Sequence, residues 1–135
     1  FGKAKSYKGK AFNKANLYKV EDTVIGEIEL ENGIHCEGYW CFCADKEQQK
    51  DIFEIVGTKG KISFPVFGNT ITLTEKNIEK QIHFEPPLHN QQNFIEKIVR
   101  YLNGVEENPC SAEQALASMR VMEAFVYGSK NEIHS

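Results

Sequence analysis

The chain has 135 residues, 41% of them hydrophobic and 26% charged, and this length suits one compact domain rather than two. Nineteen Asp and Glu residues outnumber sixteen Lys and Arg residues, so the formal net charge is -3 and the basic excess typical of a nucleic-acid-binding protein is missing. No apolar run approaches the roughly 18 residues that a membrane-spanning helix needs. Composition therefore argues against nucleic acid and membrane as partners.

Segments of alternating polar and apolar residues fill the first two-thirds of the chain and predict antiparallel β-strands joined mostly by tight turns. The first predicted strand, at 3–12, is rich in lysine, which is typical of a sheet edge. A polar connection over 13–21 follows it. The remaining predicted strands are 22–30, 34–43, 52–57, 61–67, 70–75 and 78–84.

The turn at 31–33 decides the register of the second and third strands, because residues directly opposite in a hairpin share one face of the sheet. A two-residue Asn-Gly turn would place Leu30 opposite His35 and mix polar with apolar residues on each face. A three-residue turn with Gly33 in the left-handed conformation instead places Leu30 opposite Ile34 and collects apolar residues on one face. We predict this second register.

Three further turns define the hairpins in the second half of the predicted sheet. With turns at Lys59-Gly60, Gly68-Asn69 and Lys76-Asn77, the predicted facing pairs are Ile55 with Phe64, Phe64 with Leu73 and Ile71 with Ile82. The polar face then carries Ser63, Thr70, Thr72, Thr74, Glu79, Gln81 and His83. Such alternation predicts a sheet covered on one side only, by helices packed on the face that carries Trp40, Phe64 and Leu73.

The last third of the chain predicts two helices. Asn90 can cap the first, which ends before Gly104, and the second opens with a capping-box sequence at 111–114 and ends near Gly128. Residues 131–135 are predicted to be a tail. The predicted fold is α+β: an open, largely antiparallel meander sheet with the two C-terminal helices on one face and the other face free for subunit contacts.

The motifs of common catalytic sites are missing from this sequence. It has no Gly-rich strand-to-helix turn, P-loop, nucleophile elbow or paired-His zinc motif, and the Gly-Thr-Lys-Gly segment at 57–60 precedes a strand. The four cysteines form no CxxC pair, which predicts no metal site and indicates a reducing, cytoplasmic location. Cys41 and Cys43 are interpreted as small, partly buried apolar residues. The carboxylate candidates Glu21, Asp22 and Asp51 are interpreted as solvated strand ends.

Six short motifs follow one another in a distinctive order along the chain. They are Glu-Asp-Thr-Val at 21–24, Asn-Gly-Ile at 32–34, Tyr-Trp-Cys-Phe at 39–42, Phe-Glu-Ile-Val-Gly-Thr-Lys-Gly at 53–60, Leu-Asn-Gly at 102–104 and Asn-Pro-Cys-Ser at 108–111. Their order and spacing resemble those of the C-terminal domain of the Gfo/Idh/MocA oxidoreductases, the family of glucose-fructose oxidoreductase and inositol dehydrogenase. The resemblance covers nearly the whole chain, from Phe1 to Gly128.

This resemblance implies that residues 1–130 are one domain of an NAD- or NADP-dependent sugar or polyol oxidoreductase. In the family, an N-terminal Rossmann domain binds the cofactor and carries the catalytic lysine in a Glu-Lys-Pro motif, and neither segment is in this sequence. A chain that begins at Phe1, with no Met, agrees with a piece trimmed from a longer protein. The isolated chain is therefore expected to bind no cofactor, to supply no catalytic residue and to transfer no hydride.

The resemblance also indicates three candidate substrate contacts. They are Cys43, at the end of the third predicted strand, and His89 and Asn90, in the loop that enters the first helix. His89 and Asn90 can hydrogen-bond a sugar or polyol hydroxyl; from the residues alone, His89 can equally face solvent and Asn90 can serve only as a cap. The family's subunit contacts through the open sheet face imply a homo-oligomer. The alternative function is a non-enzymatic dimerisation or adaptor module that acts through this face.

Overall fold

The structure is a computed structural model that describes residues 1–128 and divides into two compact units. Unit 1 contains Phe1–Lys46 and the chain from Cys110 onward, and unit 2 is Glu47–Pro109. All strand pairs are antiparallel and two helices accompany them, which confirms the α+β class. The predicted tail at 131–135 lies outside the described residues. None of the helices within 1–128 is long and apolar enough to cross a membrane.

Unit 1 is built on a three-stranded sheet and unit 2 on a four-stranded sheet. In unit 1 the strands are β1 (Ala4–Phe12), β2 (Thr23–Leu30) and β3 (His35–Cys41), with helix α2 (Ala112–Tyr127). In unit 2 the strands are β4 (Phe53–Gly57), β5 (Gly60–Phe64), β6 (Thr70–Glu75) and β7 (Ile78–His83), with helix α1 (Gln92–Leu102). A single turn of 3₁₀-helix, Lys46–Gln48, lies between β3 and β4.

The prediction of one meander sheet is therefore wrong, because the strands fall into two sheets. The reason lies in the connection after Cys41, which is long and polar and contains the 3₁₀ turn rather than a tight hairpin turn. Within the described residues, β4 pairs with β5 alone, and β3 pairs with β2 alone. The antiparallel order inside each sheet follows the sequence order, as the hairpin pattern predicts.

The predicted bulged register of the β2–β3 hairpin is confirmed. Gly33 adopts φ +83°, and its N–H donates to the Leu30 carbonyl at 3.0 Å. The Leu30 N–H in turn donates to the Ile34 carbonyl at 2.8 Å, so these two residues close the hairpin. Farther along, Ile28 faces Cys36, which keeps the predicted apolar residues on one face of the sheet.

A row of three glycines crosses this sheet, and two of them, Gly9 and Gly26, lie beneath helix α2. Gly9 faces Gly26, and Gly26 faces Gly38, on the three adjacent strands. A Cβ on Gly26 would collide with the ring of Phe125, and one on Gly9 would lie 2.7 Å from the Phe125 Cα. Phe125 is 6% exposed, and its ring lies 6.0 Å from that of Trp40. The missing side chains therefore let α2 lie directly on the backbone of β1 and β2.

The hairpins of unit 2 keep their predicted faces in a register shifted by two residues. Phe53 rather than Ile55 faces Phe64, so the β4–β5 turn is at 58–59 and not at Lys59-Gly60. The shift stacks the two phenyl rings at 5.2 Å and brings the Lys61 Nζ within 2.7 Å of Glu54. Because side chains alternate with a period of two, such a shift leaves every residue on its predicted face.

Of the next two hairpins of unit 2, β5–β6 differs from the predicted pairing and β6–β7 agrees with it. The predicted turn at Gly68-Asn69 is wrong, because β5 ends before Pro65, which has no N–H to give to the ladder. Leu73 therefore faces Ile62 instead of Phe64. The predicted pairing of Ile71 with Ile82 is confirmed.

The two helices differ in how closely they follow the sequence pattern. For α2 the predicted capping box is confirmed: the Ser111 hydroxyl accepts from the Gln114 N–H at 3.2 Å, and the Gln114 side chain accepts from the Ser111 N–H at 2.8 Å. Asn90, however, does not cap α1. The N-cap is Gln91, with φ -102° and ψ 8°, and its side chain makes no capping hydrogen bond.

Helix α1 also departs from the prediction that both helices pack on the apolar sheet face. Helix α2 packs on β1 and β2, whereas no Cα of α1 lies within 8 Å of a Cα of any strand in unit 2. The adjacent prolines Pro86 and Pro87 hold the preceding segment extended, so the chain leaves β7 before the helix begins. Several apolar side chains of α1 remain about half exposed or more as a result; they are Phe94, Ile95, Val99 and Leu102.

Replacing Gly26 by alanine tests the close approach of α2 to the sheet. The added methyl meets the buried Phe125 ring, so Gly26→Ala should lower the free energy of unfolding by about 1–3 kcal/mol, the range for overpacked cores. Urea denaturation followed by circular dichroism measures the change. Gly57→Ala is the matched control, because the nearest atom to its added Cβ is the Gly60 carbonyl oxygen at 3.8 Å. Equal losses in the two variants would contradict the packing described here.

Candidate functional site

A buried carboxylate lies immediately before β2. The Asp22 side chain accepts hydrogen bonds from the N–H groups of Lys14 at 3.0 Å and Ala15 at 2.7 Å, and from the Thr23 hydroxyl at 2.9 Å. Asp22 is 1% exposed and Thr23 is fully buried. The interpretation of Asp22 as a solvated strand end is therefore wrong, because the 13–21 connection folds back and places its backbone donors on the carboxylate.

These donors change the acidity of Asp22. Backbone hydrogen bonds from Lys14 and then Ala15 stabilise the ionised form and lower the pKa of Asp22 from 3.8 to about 2, while burial opposes them. The Thr23 hydroxyl and the Cys43 side chain add to the same lowering. The carboxylate is therefore ionised at neutral pH, although it is withdrawn from solvent.

Two thiols lie beside this carboxylate at the end of β3. The Sγ atoms of Cys41 and Cys43 are 3.6 Å apart, and each lies 3.8 Å from the Thr23 hydroxyl oxygen. Thr23 faces Cys41 directly across the β2–β3 pair, and the chain turns after Cys41, which brings Cys43 back toward it. One hydroxyl thus links the Asp22 carboxylate to a pair of partly buried thiols.

The two thiols are not equivalent. The pKa of Cys41 is lowered from the ordinary thiol value, first by the hydrogen bond from Cys43 and then by the side chains of Tyr39 and Thr23. The pKa of Cys43 is raised, first because its hydrogen bond with Cys41 holds its proton. Cys41 is therefore the more acidic thiol of the pair.

Aromatic rings and a lysine border the thiol pair on the same sheet face. Tyr39, two residues before Cys41 on β3, is more than half exposed. The Lys14 ammonium lies 5.8 Å from the ring centroids of both Tyr39 and Phe12. Phe12 faces Thr23 across the β1–β2 pair, so Lys14 and the two rings lie at the same end of the sheet as the thiol pair. This end therefore carries an ammonium group, a phenol and two thiols close to the buried Asp22 carboxylate.

The three predicted substrate contacts fall into two groups. Cys43 lies in unit 1, where it meets Cys41 and Thr23. His89 and Asn90 lie in unit 2, next to one another in the exposed turn before α1, where the His89 carbonyl accepts from the Gln92 N–H at 3.0 Å. Their contact with a substrate stays a prediction.

Sequence reasoning missed the roles of Asp22, Thr23 and Cys41. The spacing of Cys41 and Cys43 is a usable signal, because residues two apart on a strand point to the same face. The burial of Asp22 has no comparable signal, since it depends on how the 13–21 connection folds. No group of three or more metal-ligating side chains occurs among the described residues.

The described residues do not fit a dinucleotide cofactor. The Gly-Thr-Lys-Gly segment at 57–60 leads into β5, so its backbone N–H groups are not continued by a helix N-terminus. The chain before α1 and before α2, within residues 1–128, contains no glycine-rich turn either. No catalytic step through a nicotinamide is therefore assigned to these residues.

Comparison with known proteins identifies relatives over nearly the full chain. Residues 2–132 match the family model described as "Oxidoreductase family, C-terminal alpha/beta domain". The chain is also 37% identical over 125 residues to oxidoreductase P35 of Formosa agariphila, an alignment that covers 93% of this chain. The chain spans only 38% of the length of that relative.

Solved structures share the fold at low sequence identity. The aldose-aldose oxidoreductase of Caulobacter crescentus, solved with glycerol, superposes with a TM-score of 0.74 at 11% identity, covering 92% of this chain and 38% of its own. The biliverdin reductase of Synechocystis, solved with biliverdin and NADP+, gives a TM-score of 0.71 at 18% identity, covering 91% of this chain and 39% of its own. At these identities the likeness establishes the fold.

The lowered pKa of Asp22 predicts acid sensitivity of unit 1. Because the folded pKa of about 2 lies below the ordinary 3.8, the carboxylate stabilises the fold above pH 3.8, and this contribution is lost as the pH falls through about 2. Asp22→Asn should lower stability at neutral pH and remove part of the acid dependence in this window. Urea titrations at a series of pH values measure both effects. Asp51→Asn, which alters an exposed side chain that accepts one backbone hydrogen bond, should cost less stability at neutral pH.

Proposed function

This chain belongs to the Gfo/Idh/MocA oxidoreductase family as its C-terminal alpha/beta domain, and we propose that it is the substrate-binding and oligomerisation domain of an NAD(P)-dependent sugar or polyol oxidoreductase. The observation that carries the proposal is the match over residues 2–132, joined to 37% identity with an oxidoreductase. The chain spans 38% of the length of that relative, so we propose the activity for a longer polypeptide that joins this domain to a nucleotide-binding domain.

The assignment to a hydroxylated substrate rests on the side chains that the turn before α1 presents. His89 and Asn90 are both exposed there, and an imidazole and an amide can each donate to and accept from a hydroxyl group. The fold-related aldose-aldose oxidoreductase acts on sugars and was solved with glycerol, a polyol, which supports this class. The fold-related biliverdin reductase shows that the same fold also serves a different substrate, so the substrate must be tested directly.

Residues 1–128 contain no glycine-rich turn of the kind that binds a dinucleotide, so we propose that cofactor binding and substrate binding belong to different domains. We assign the nicotinamide cofactor and the general base to a Rossmann domain of the longer polypeptide, where the cofactor would supply hydride transfer. In this proposal the domain binds the substrate and orients its carbinol carbon. It is not expected to catalyse a reaction alone.

The proposed subunit contact uses the sheet face of unit 1 opposite α2. Ile25 faces Tyr39 on that side, and the two side chains are 43% and 59% exposed. Farther along the same face, Glu27 faces Glu37, and two like charges at this spacing favour solvent over a dry interface. The apolar end of the face is therefore the part proposed to meet a second subunit.

A non-enzymatic dimerisation or adaptor module is the second candidate, favoured by that same exposed face and by the lack of a dinucleotide cradle within 1–128. Isothermal titration calorimetry of the longer polypeptide with NADH and NADPH separates the two candidates. Binding of either nucleotide supports the oxidoreductase. Absence of binding to both, in a folded polypeptide, would favour the adaptor.

His89→Ala tests the substrate contact in the longer polypeptide. Loss of a hydrogen bond to a substrate hydroxyl, about 1–2 kcal/mol, should raise KM roughly 5- to 30-fold with a smaller change in kcat. Steady-state kinetics with a panel of aldoses and polyols provides the measurement. His35→Ala is the control, since His35 lies on β3 in contact with Glu37 and should leave KM unchanged. An unchanged KM in His89→Ala would remove His89 from the substrate site.

A further inference from the structure

The thiol pair at the end of β3 carries redox chemistry beyond the predicted substrate contact of Cys43. We propose that Cys41 and Cys43 form a reversible dithiol–disulfide site, oxidised by low-molecular-weight disulfides. Both side chains are partly buried, as the sequence interpretation expects, and their sulfur atoms approach to 3.6 Å. The inference concerns the chain itself and is independent of which substrate the longer polypeptide uses.

The geometry permits a disulfide with modest movement. A disulfide needs its sulfur atoms at about 2.05 Å and its Cα atoms within about 6.8 Å of one another. Two residues that are two apart in sequence span at most about 7 Å when fully extended, and the turn after Cys41 shortens that span. The sulfur atoms are already 3.6 Å apart, and the disulfide requires rotation of the two side chains with adjustment of the turn between them.

The surroundings favour Cys41 as the thiol that reacts first. The attacking species in thiol–disulfide exchange is the thiolate, and the hydrogen bonds that Cys41 receives lower its pKa. Cys43, whose proton is held in the hydrogen bond with Cys41, is suited to the second step. Thr23, 3.8 Å from both sulfur atoms, is fully buried and keeps the pair in place.

The reaction balances with a glutathione-type disulfide as the oxidant. The Cys41 thiolate attacks one sulfur of the small disulfide, which breaks its S–S bond, forms a mixed disulfide and releases one thiolate. Cys43 then loses its proton to solvent and attacks the Cys41 sulfur, which releases the second thiolate. The two leaving thiolates take up the two protons, so the protein thiols are oxidised by two electrons and the small disulfide is reduced to two thiols.

The other two cysteines provide internal controls. Cys36 lies on β3 on the face opposite to Cys41, because the two are five positions apart and side chains alternate along a strand. Cys110 lies just before α2 and is exposed, as is Cys36. A Cys36→Ser, Cys110→Ser double variant of the full 135-residue chain therefore isolates the proposed pair without altering it.

The test equilibrates this double variant with mixtures of reduced and oxidised glutathione, followed by acid quenching, alkylation and mass spectrometry. We expect the chain to lose two hydrogen atoms, to take up no alkylating reagent and to remain monomeric on a non-reducing gel. Dithiothreitol should restore both thiols. Stable glutathione adducts on both cysteines, or two free thiols in the most oxidising mixture, would overturn the proposal.

Two comparisons show whether the fold creates the site. In a variant that also carries Cys43→Ser, glutathione should remain on Cys41. In a variant that carries Cys41→Ser instead, glutathione should react with Cys43. The Cys41 adduct should form several-fold faster than the Cys43 adduct. In the folded chain, conversion of the mixed disulfide into the internal disulfide should be at least about 10-fold faster than in 8 M urea, since the fold holds the two sulfur atoms together. Equal closure rates in the two conditions would refute a site built by the fold.

Discussion

The close approach of helix α2 to the backbone of β1 and β2 is the constraint on which unit 1 depends. Two of the three facing glycines, Gly9 and Gly26, leave room for Phe125, which is among the few buried apolar side chains of the described residues. Glycine within a strand costs roughly 0.5–1 kcal/mol per residue relative to alanine. Removing a buried phenylalanine side chain costs about 3–5 kcal/mol, so the burial of Phe125 outweighs the three glycines together.

The same constraint sets the far end of the sheet, where the thiols lie. The β2–β3 register that places Gly26, beneath Phe125, opposite Gly38 also places Thr23 opposite Cys41. The buried hydroxyl then meets both sulfur atoms on one side and the Asp22 carboxylate on the other. Packing on one face of the sheet thus determines the chemistry available on the other.

The predictions that proved correct rest on short-range sequence patterns. The capping box at Ser111 and the turn at Gly33 depend on residues within four positions, and both are found as expected. The β4–β5 register failed because a pattern of period two is unchanged by a shift of two residues, and the stacking of Phe53 on Phe64 selects between the alternatives. The burial of the Asp22 carboxylate and the exposure of α1 were not predicted. Both depend on how a connecting segment folds, and the alternation of polar and apolar residues does not determine that. Of the site, the sequence identified Cys43 but not its neighbours.

The glycine row also couples mutations at two positions in unit 1. Any replacement of Gly26 enlarges the residue and collides with the aromatic ring above it, whereas Phe125 can become smaller while all three glycines stay. Either change alone leaves a less stable intermediate, because overpacking costs about 1–3 kcal/mol and loss of the buried ring costs about 3–5 kcal/mol. The two positions should therefore change together, and a homologue with a side chain at position 26 should carry a smaller residue at position 125.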